Sequence, residues 1–172
     1  MAIQGGWRFC VRCSGLYFGG HVTKGACVSN SKAFLQPHTP GTGKGTAVVE
    51  FAEGDTPSDA QDDWRWCKRC EGMFFHGNPT NGVCPAGGEH SGDPKDSGNY
   101  RFTFGFSAPT PDVPFPGQWR WCNKCEGLFY EIPGGVGTTS SGLKVQNRCP
   151  KGGLHNSQGS GLYSVSAGPK AP

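Results

Sequence analysis

The sequence predicts an all-β chain in which three similar metal-binding repeats pack about a pseudo-threefold axis, with almost no helix. Three observations predict it. One phrase is written three times, as Trp7-Arg8-Phe9-Cys10-Val11-Arg12-Cys13, Trp64-Arg65-Trp66-Cys67-Lys68-Arg69-Cys70 and Trp119-Arg120-Trp121-Cys122-Asn123-Lys124-Cys125. No window sustains a 3.6-residue apolar period, whereas aromatic and polar residues alternate beside each phrase. Glycine (29) and proline (14) make up a quarter of the 172 residues and interrupt any helical pattern.

Each element of the repeat has a local reason. Trp64 and Trp66 lie two apart with Arg65 between them, so a strand puts both rings on one face and the guanidinium on the other. The Cys-x-x-Cys-x-Gly that follows is a tight knuckle turning the chain around a metal. Met73-Phe74-Phe75 then returns antiparallel, and Tyr100-Arg101-Phe102-Thr103-Phe104 alternates as a half-buried strand does. Copy one matches this third strand with Ala47-Val48-Val49, and copy three with Leu162-Tyr163-Ser164-Val165. The boundaries are therefore 1–51 for repeat one, 64–106 for repeat two and 119–167 for repeat three. Proline- and aspartate-rich connectors span 52–63 and 107–118, and a frayed tail spans 168–172. Three units of about fifty residues bury little apolar surface alone. One compact body sharing a core, in the manner of a β-prism or β-trefoil, is favoured over three beads.

The metal ligands follow from cysteine arithmetic. All 9 cysteines fall at equivalent places, as Cys10, Cys13 and Cys27; Cys67, Cys70 and Cys84; Cys122, Cys125 and Cys149. An odd number cannot be fully paired within one chain, while three sites of three thiolates and one imidazole leave nothing over. His90 and His155 complete two sites, each six positions after the third cysteine in Cys84-Pro85-Ala86-Gly87-Gly88-Glu89-His90 and Cys149-Pro150-Lys151-Gly152-Gly153-Leu154-His155. Copy one has Ala33 at that position, and a five-residue insertion makes His38 its fourth ligand; the alternative is a copy that has lost its metal. Copy three carries its own insertion between Cys125 and Cys149, absorbed by the stretch Gly134–Gly142. His21 and His76 sit at unrelated offsets and are expected to be surface residues.

Four protein ligands close a zinc shell, whereas a hydrolytic zinc keeps a position for water. The His-x-Glu partner of a zinc deaminase, a zincin helix and a nucleophile elbow are all missing from the sequence. The sequence thus predicts three structural zinc ions and no enzyme. A chain so rich in glycine needs them, because its conformational entropy is large and only 34% of it is hydrophobic. Structural zinc supplies folding free energy on the order of 10 kcal/mol per site.

The strand, knuckle, strand, Cys/His loop, strand plan resembles a zinc ribbon over nearly the whole chain. Trp-Arg-Trp-Cys-x-Lys/Arg-Cys-x-Gly-Leu-Phe followed by Cys-Pro-x-Gly-Gly-x-His also resembles a tandem repeat of uncharacterised bacterial and fungal proteins. That second resemblance brings no activity with it. Copy one departs from the pattern at Phe9, at the residue after Cys27 and at the displaced His38.

Partners are read from charge and aromatics. The formal charge of +3 assumes neutral thiols, and nine thiolates with three divalent ions bring it to zero. Arg8, Arg12, Arg65, Lys68, Arg69, Arg120 and Lys124 cluster beside the knuckles among aromatics, as a single-strand nucleic-acid binder arranges them. Glu50, Glu53, Asp55, Asp59, Asp62 and Asp63 offset them. A neutral threefold body better suits multivalent, lectin-like glycan binding through an exposed member of each pair Tyr17/Phe18, Phe74/Phe75 and Phe129/Tyr130, where repeated weak sites give avidity. Nucleic-acid binding is the first alternative, and a protein-binding or toxin-like surface module the second. The opening residues show no apolar leader, which predicts a cytoplasmic protein with reduced thiols, a secreted mature form being the alternative.

Overall fold

A computed structural model describes residues 2–28, 36–41, 45–107, 117–138, 142 and 144–168. Each repeat opens with a hairpin across its knuckle. In repeat one β1 (Ile3–Phe9) pairs β2 (Leu16–Phe18), and β3 (Ala47–Phe51) flanks β1 on the other side. Repeat two repeats this with β4 (Ala60–Trp66), β5 (Met73–Phe75) and β6 (Tyr100–Thr103). Repeat three has β7 (Gln118–Trp121) against β8 (Leu128–Glu131). The registers coincide: Trp7 faces Phe18, Trp64 faces Phe75 and Trp119 faces Tyr130. On the opposite side the same tryptophans face Ala47, Tyr100 and Tyr163.

The repeats join in a ring at two levels. At the knuckle end, bridges link Tyr17 to Gly72, Phe74 to Gly127 and Phe129 to Gly15, so each hairpin leans on the next knuckle. Phe18 N donates to Glu71 O (2.9 Å), Phe75 N to Glu126 O (2.9 Å) and Tyr130 N to Ser14 O (2.8 Å). At the other end, β3 pairs β6 through Glu50 and Arg101, Phe104 bridges Tyr163, and β11 (Ser166–Ala167) returns to β3 at Ala47 and Val48. The sheet is therefore nearly closed, the all-β pseudo-threefold arrangement the repeats predict. Among the described residues the sole helical turn is a 3-10 turn at Pro133–Gly135.

The shared core lies on the axis. Trp7, Trp64 and Trp119 are almost wholly buried, and Trp7 and Trp64 meet the third-strand tyrosine of the following repeat edge to face, at 5.5 Å for Trp7–Tyr100 and 5.0 Å for Trp64–Tyr163. Those phenols donate outward to Gln4 and Gln61 of the preceding repeat, each at 2.6 Å. Copy one has Ala47 in the tyrosine's place, and Phe9 instead edges onto Trp119 at 6.3 Å. A further ion pair ties β6 to β4, where Arg101 grips Asp62 through Nε (2.6 Å) and Nη2 (2.9 Å).

Three local expectations change. Residues 60–63, read as connector, already belong to β4, because a bulge between Gln61 and Trp64 lets the strand extend. The copy-three insertion is more than a slack loop: it forms the hairpin β9 (Val136–Thr138) and β10 (Lys144–Gln146), with Val145 in the core. In Leu162–Val165 only Tyr163 pairs, and regular strand begins at Ser166. Residues 108–116 of the second connector and 169–172 of the tail lie outside the described residues.

Candidate metal centres

Each centre begins at a knuckle whose backbone closes on itself. Cys10 N donates to Gly15 O and Ser14 N to Cys10 O, and the same two bonds recur from Cys67 and Glu71 and from Cys122 and Glu126. The turn demands a left-handed residue after the second cysteine, and Ser14, Glu71 and Glu126 sit at φ 62, 63 and 66°. The second loop needs the glycine pair of Cys-Pro-x-Gly-Gly-x-His, since Gly87 and Gly88 (φ 101 and 65°) and Gly152 and Gly153 (112 and 62°) carry positive φ. Copy one closes that loop differently, with Cys27 N donating to Gln36 O at 2.6 Å, and so spans its insertion and still delivers His38.

All twelve residues named from the sequence come together as three clusters: Cys10, Cys13, Cys27 and His38; Cys67, Cys70, Cys84 and His90; Cys122, Cys125, Cys149 and His155. Within each cluster the ligand atoms lie within 4.8 Å of one another. The sulfur pairs Cys10–Cys27, Cys67–Cys84 and Cys122–Cys149 are 3.6, 3.9 and 3.9 Å apart. The Sγ to Nδ1 distances are 3.7 Å for Cys13–His38, 3.4 Å for Cys70–His90 and 3.4 Å for Cys125–His155. A tetrahedron with Zn–S of about 2.3 Å and Zn–N of about 2.0 Å has S···S edges of about 3.8 Å and S···N edges of about 3.5 Å. A disulfide needs about 2.05 Å. The cysteines are free thiols spaced for a metal ion, so His38 belongs to a complete cluster and copy one keeps its site.

Without a metal, the three sulfurs of a cluster resist ionising together. Hydrogen bonds from Cys70 and Cys84 pull Cys67 well below the ordinary thiol range, whereas its bond to Cys67 pushes Cys84 up to about 11. Cys122 and Cys149 repeat the pattern, with Cys149 up to about 11 through Cys122. A divalent cation removes the conflict by holding all three as thiolates. Backbone N–H groups support them: Arg12 N, Ala86 N, Ser91 N and Asn156 N each donate to a cluster sulfur at 3.4 Å.

The surroundings reach across repeats. His38 Nε2 bonds the carbonyl of Cys70 (2.8 Å) and His90 Nε2 that of Cys125 (3.1 Å), which sets the tautomer that leaves Nδ1 for the metal. Tyr17, Phe74 and Phe129 stack on His38, His90 and His155 at 4.6, 4.7 and 4.5 Å. Of the six aromatics expected to offer a binding platform, four are thus buried and two partly so. Tyr17, Phe74 and Phe129 are fully buried on the histidines, Tyr130 is buried, and Phe18 and Phe75 lie partly buried against Trp7 and Trp64. The pairs alternate across the strand as expected, but both faces are covered, one by a metal centre and the other by a tryptophan.

Several knuckle cations act within the fold. Arg69 donates to the carbonyls of Ala86, Gly87 and Glu89, clipping the second loop of its own site, and Lys124 does the same to Gly152 and Leu154. Arg12 reaches Gln36 (3.1 Å), and Lys68 pairs with Asp96 (2.7 Å). Arg120 lies 3.6 Å from Glu131. His21 is exposed and meets Glu71 across the first joint at 2.9 Å, while His76 is partly buried against Asn81.

Two carboxylates escaped the sequence reading. Trp66 Nε1 donates to Glu71 and Trp121 Nε1 to Glu126, each at 2.7 Å, and both glutamates are buried. Copy one lacks both partners at once, with Phe9 for the tryptophan and Ser14 for the glutamate. That paired replacement was the available signal. Burial raises the Glu126 carboxyl above its usual range, against the bonds from Trp121 and from Asn78.

On the axis, the second cysteine, the following Gly and Leu/Met, and the histidine of every copy line one pocket of about 40 Å3, room for two or three waters. A larger crevice of about 510 Å3 opens beside centre three, between Arg120, Glu131, Ile132, Leu154 and His155. No family model, curated protein or solved structure matches the chain. No helix among the described residues is long and apolar enough to cross a membrane.

Proposed function

We propose that the protein is a non-enzymatic binding module whose ring is held together by three structural zinc ions. The observation that carries this reading is the closure of each cluster: three sulfurs and one imidazole nitrogen, eleven of the twelve residues buried, leave no position for water or substrate. Sulfur-rich donor sets select zinc over magnesium, calcium or manganese. X-ray absorption at the zinc edge tests it. Three sulfurs at about 2.3 Å and one nitrogen at about 2.0 Å are expected, and an added oxygen ligand overturns the structural assignment.

Among ligand classes, a protein surface fits better than a glycan or a nucleic acid. Four of the six repeated aromatics are buried and the other two partly so, and Arg12, Lys68, Arg69 and Lys124 already serve partners within the fold. Large apolar side chains remain exposed, among them Val22 (99%), Phe106 (76%), Ile3 (59%) and Phe104 (41%). Glycan recognition on an array, or a salt-sensitive gel shift with single-stranded oligonucleotides, would replace this ligand class.

A further inference from the structure

Resting on the zinc reading above, we infer that the three ions are not equivalent: the ion held by Cys122, Cys125, Cys149 and His155 is the exchangeable one, given up first to a competing ligand that enters through the crevice beside it. Three linked features of its joint single it out.

The first is the histidine's outer nitrogen. In centres one and two Nε2 is tied to the next repeat's cysteine carbonyl, whereas His155 Nε2 makes no hydrogen bond among the described residues. Such a partner orients the ring and raises its basicity, and its loss typically costs 10–100-fold in metal affinity.

The second is how the joints fit. Gly25 and Gly82, two residues before the third cysteine, lie flush on the next knuckle: a Cβ there would stand 2.2 Å from the Cys70 carbonyl oxygen and 2.1 Å from that of Cys125. Copy three has Asn147 at this position, with its amide turned inward to bond Tyr130 O (2.7 Å) and Ile132 N (3.2 Å). Asn147 already carries a Cβ at this joint, so its backbone does not lie flush on the Cys13 carbonyl as Gly25 and Gly82 do on those of Cys70 and Cys125, in keeping with the missing bond from His155.

The third is access. His38 and His90 are buried against the narrow axial pocket, while His155 is partly exposed and also forms a wall of the side crevice. A chelating ligand with nitrogen, oxygen or sulfur donors can therefore approach this ion associatively, displacing the imidazole before the thiolates. Centre three would then deliver zinc to a chelating acceptor while centres one and two keep the ring folded.

The test uses the zinc-loaded full chain. It is challenged with a chromogenic zinc chelator, quenched at intervals with iodoacetamide, and the alkylated cysteines are located by peptide mass spectrometry. The expected result is modification of Cys122, Cys125 and Cys149 at least about 10-fold faster than of the other six, with a two-zinc species accumulating in native mass spectra. Equal rates at all nine, or earlier modification of copy one or two, overturns the inference. Fewer than two zinc ions bound after loading would instead count against the zinc reading itself.

Discussion

Copies two and three wrap the knuckle in a buried tryptophan–glutamate bond, and copy one does without it, yet the metal clusters of all three have the same ligands and similar edges. Phe9 and Ser14 replace both members of the pair, and Ser14 retains only the left-handed turn and a long bond to Gln146 O (3.3 Å). Coordination fixes the ligands absolutely, while the surrounding polar contacts vary in matched sets. A lone change would strand a buried carboxylate, and a paired change leaves nothing unsatisfied.

The comparison is broken most severely at the ligands. Cys13→Ser and Cys70→Ser should each remove a contribution on the order of 10 kcal/mol and abolish the cooperative thermal transition seen by circular dichroism. Survival of the first variant alone would show that the divergence of copy one extends to its metal. Next come the joints. Gly82→Ala drives a Cβ into the Cys125 carbonyl at φ 72°, for about 3 kcal/mol or more, whereas Asn147→Ala at the matching place in copy three loses only hydrogen bonds, about 1–3 kcal/mol. Urea titrations of both variants measure the difference, and equal costs would mean the three joints are alike.

The matched pair itself gives a smaller effect. Trp121→Phe leaves Glu126 short of a donor and should cost about 1–3 kcal/mol, while Trp121→Phe with Glu126→Ser, which copies repeat one, should recover most of it. Simple additivity in the double-mutant cycle would show the two positions to be independent. The smallest effect is alkaline. Burial pushes the Tyr100 and Tyr163 phenols up to about 12, above an unfolded value of about 10. Their stabilisation is whole below about pH 10 and is lost as pH climbs through 12. Copy one has Ala47, and so no phenol, at this position. Absorbance at 295 nm should show late titration of Tyr100, Tyr130 and Tyr163 coupled to unfolding, and ionisation of every tyrosine near pH 10 would contradict it.

Much of the molecule was legible because metal ligation is written in spacing. The cysteines and His90 and His155 followed from counting, and His38 from asking which histidine could close the remaining site. The pseudo-threefold ring followed from repetition, since units so small must share a core. The aromatic pairs were misread because alternation shows that neighbours face opposite ways, not what covers each face; here a histidine covers one and a tryptophan the other. The bonds from His38 to Cys70 and from His90 to Cys125 carry no local signature, being contacts between residues 32 and 35 positions apart. Gly25 and Gly82 were visible as repeated glycines, but only the packed joint shows what they make room for.

The central claim is that three ions, each held by three thiolates and one imidazole, give this glycine-rich chain its shape. Mass spectrometry of the purified protein under native and then denaturing conditions tests it most directly. The account predicts a native mass three zinc ions above the denatured one, with all nine cysteines reduced in the denatured chain. A native form carrying fewer than two zinc ions, or a denatured chain lighter by the hydrogens lost to disulfides, would contradict it.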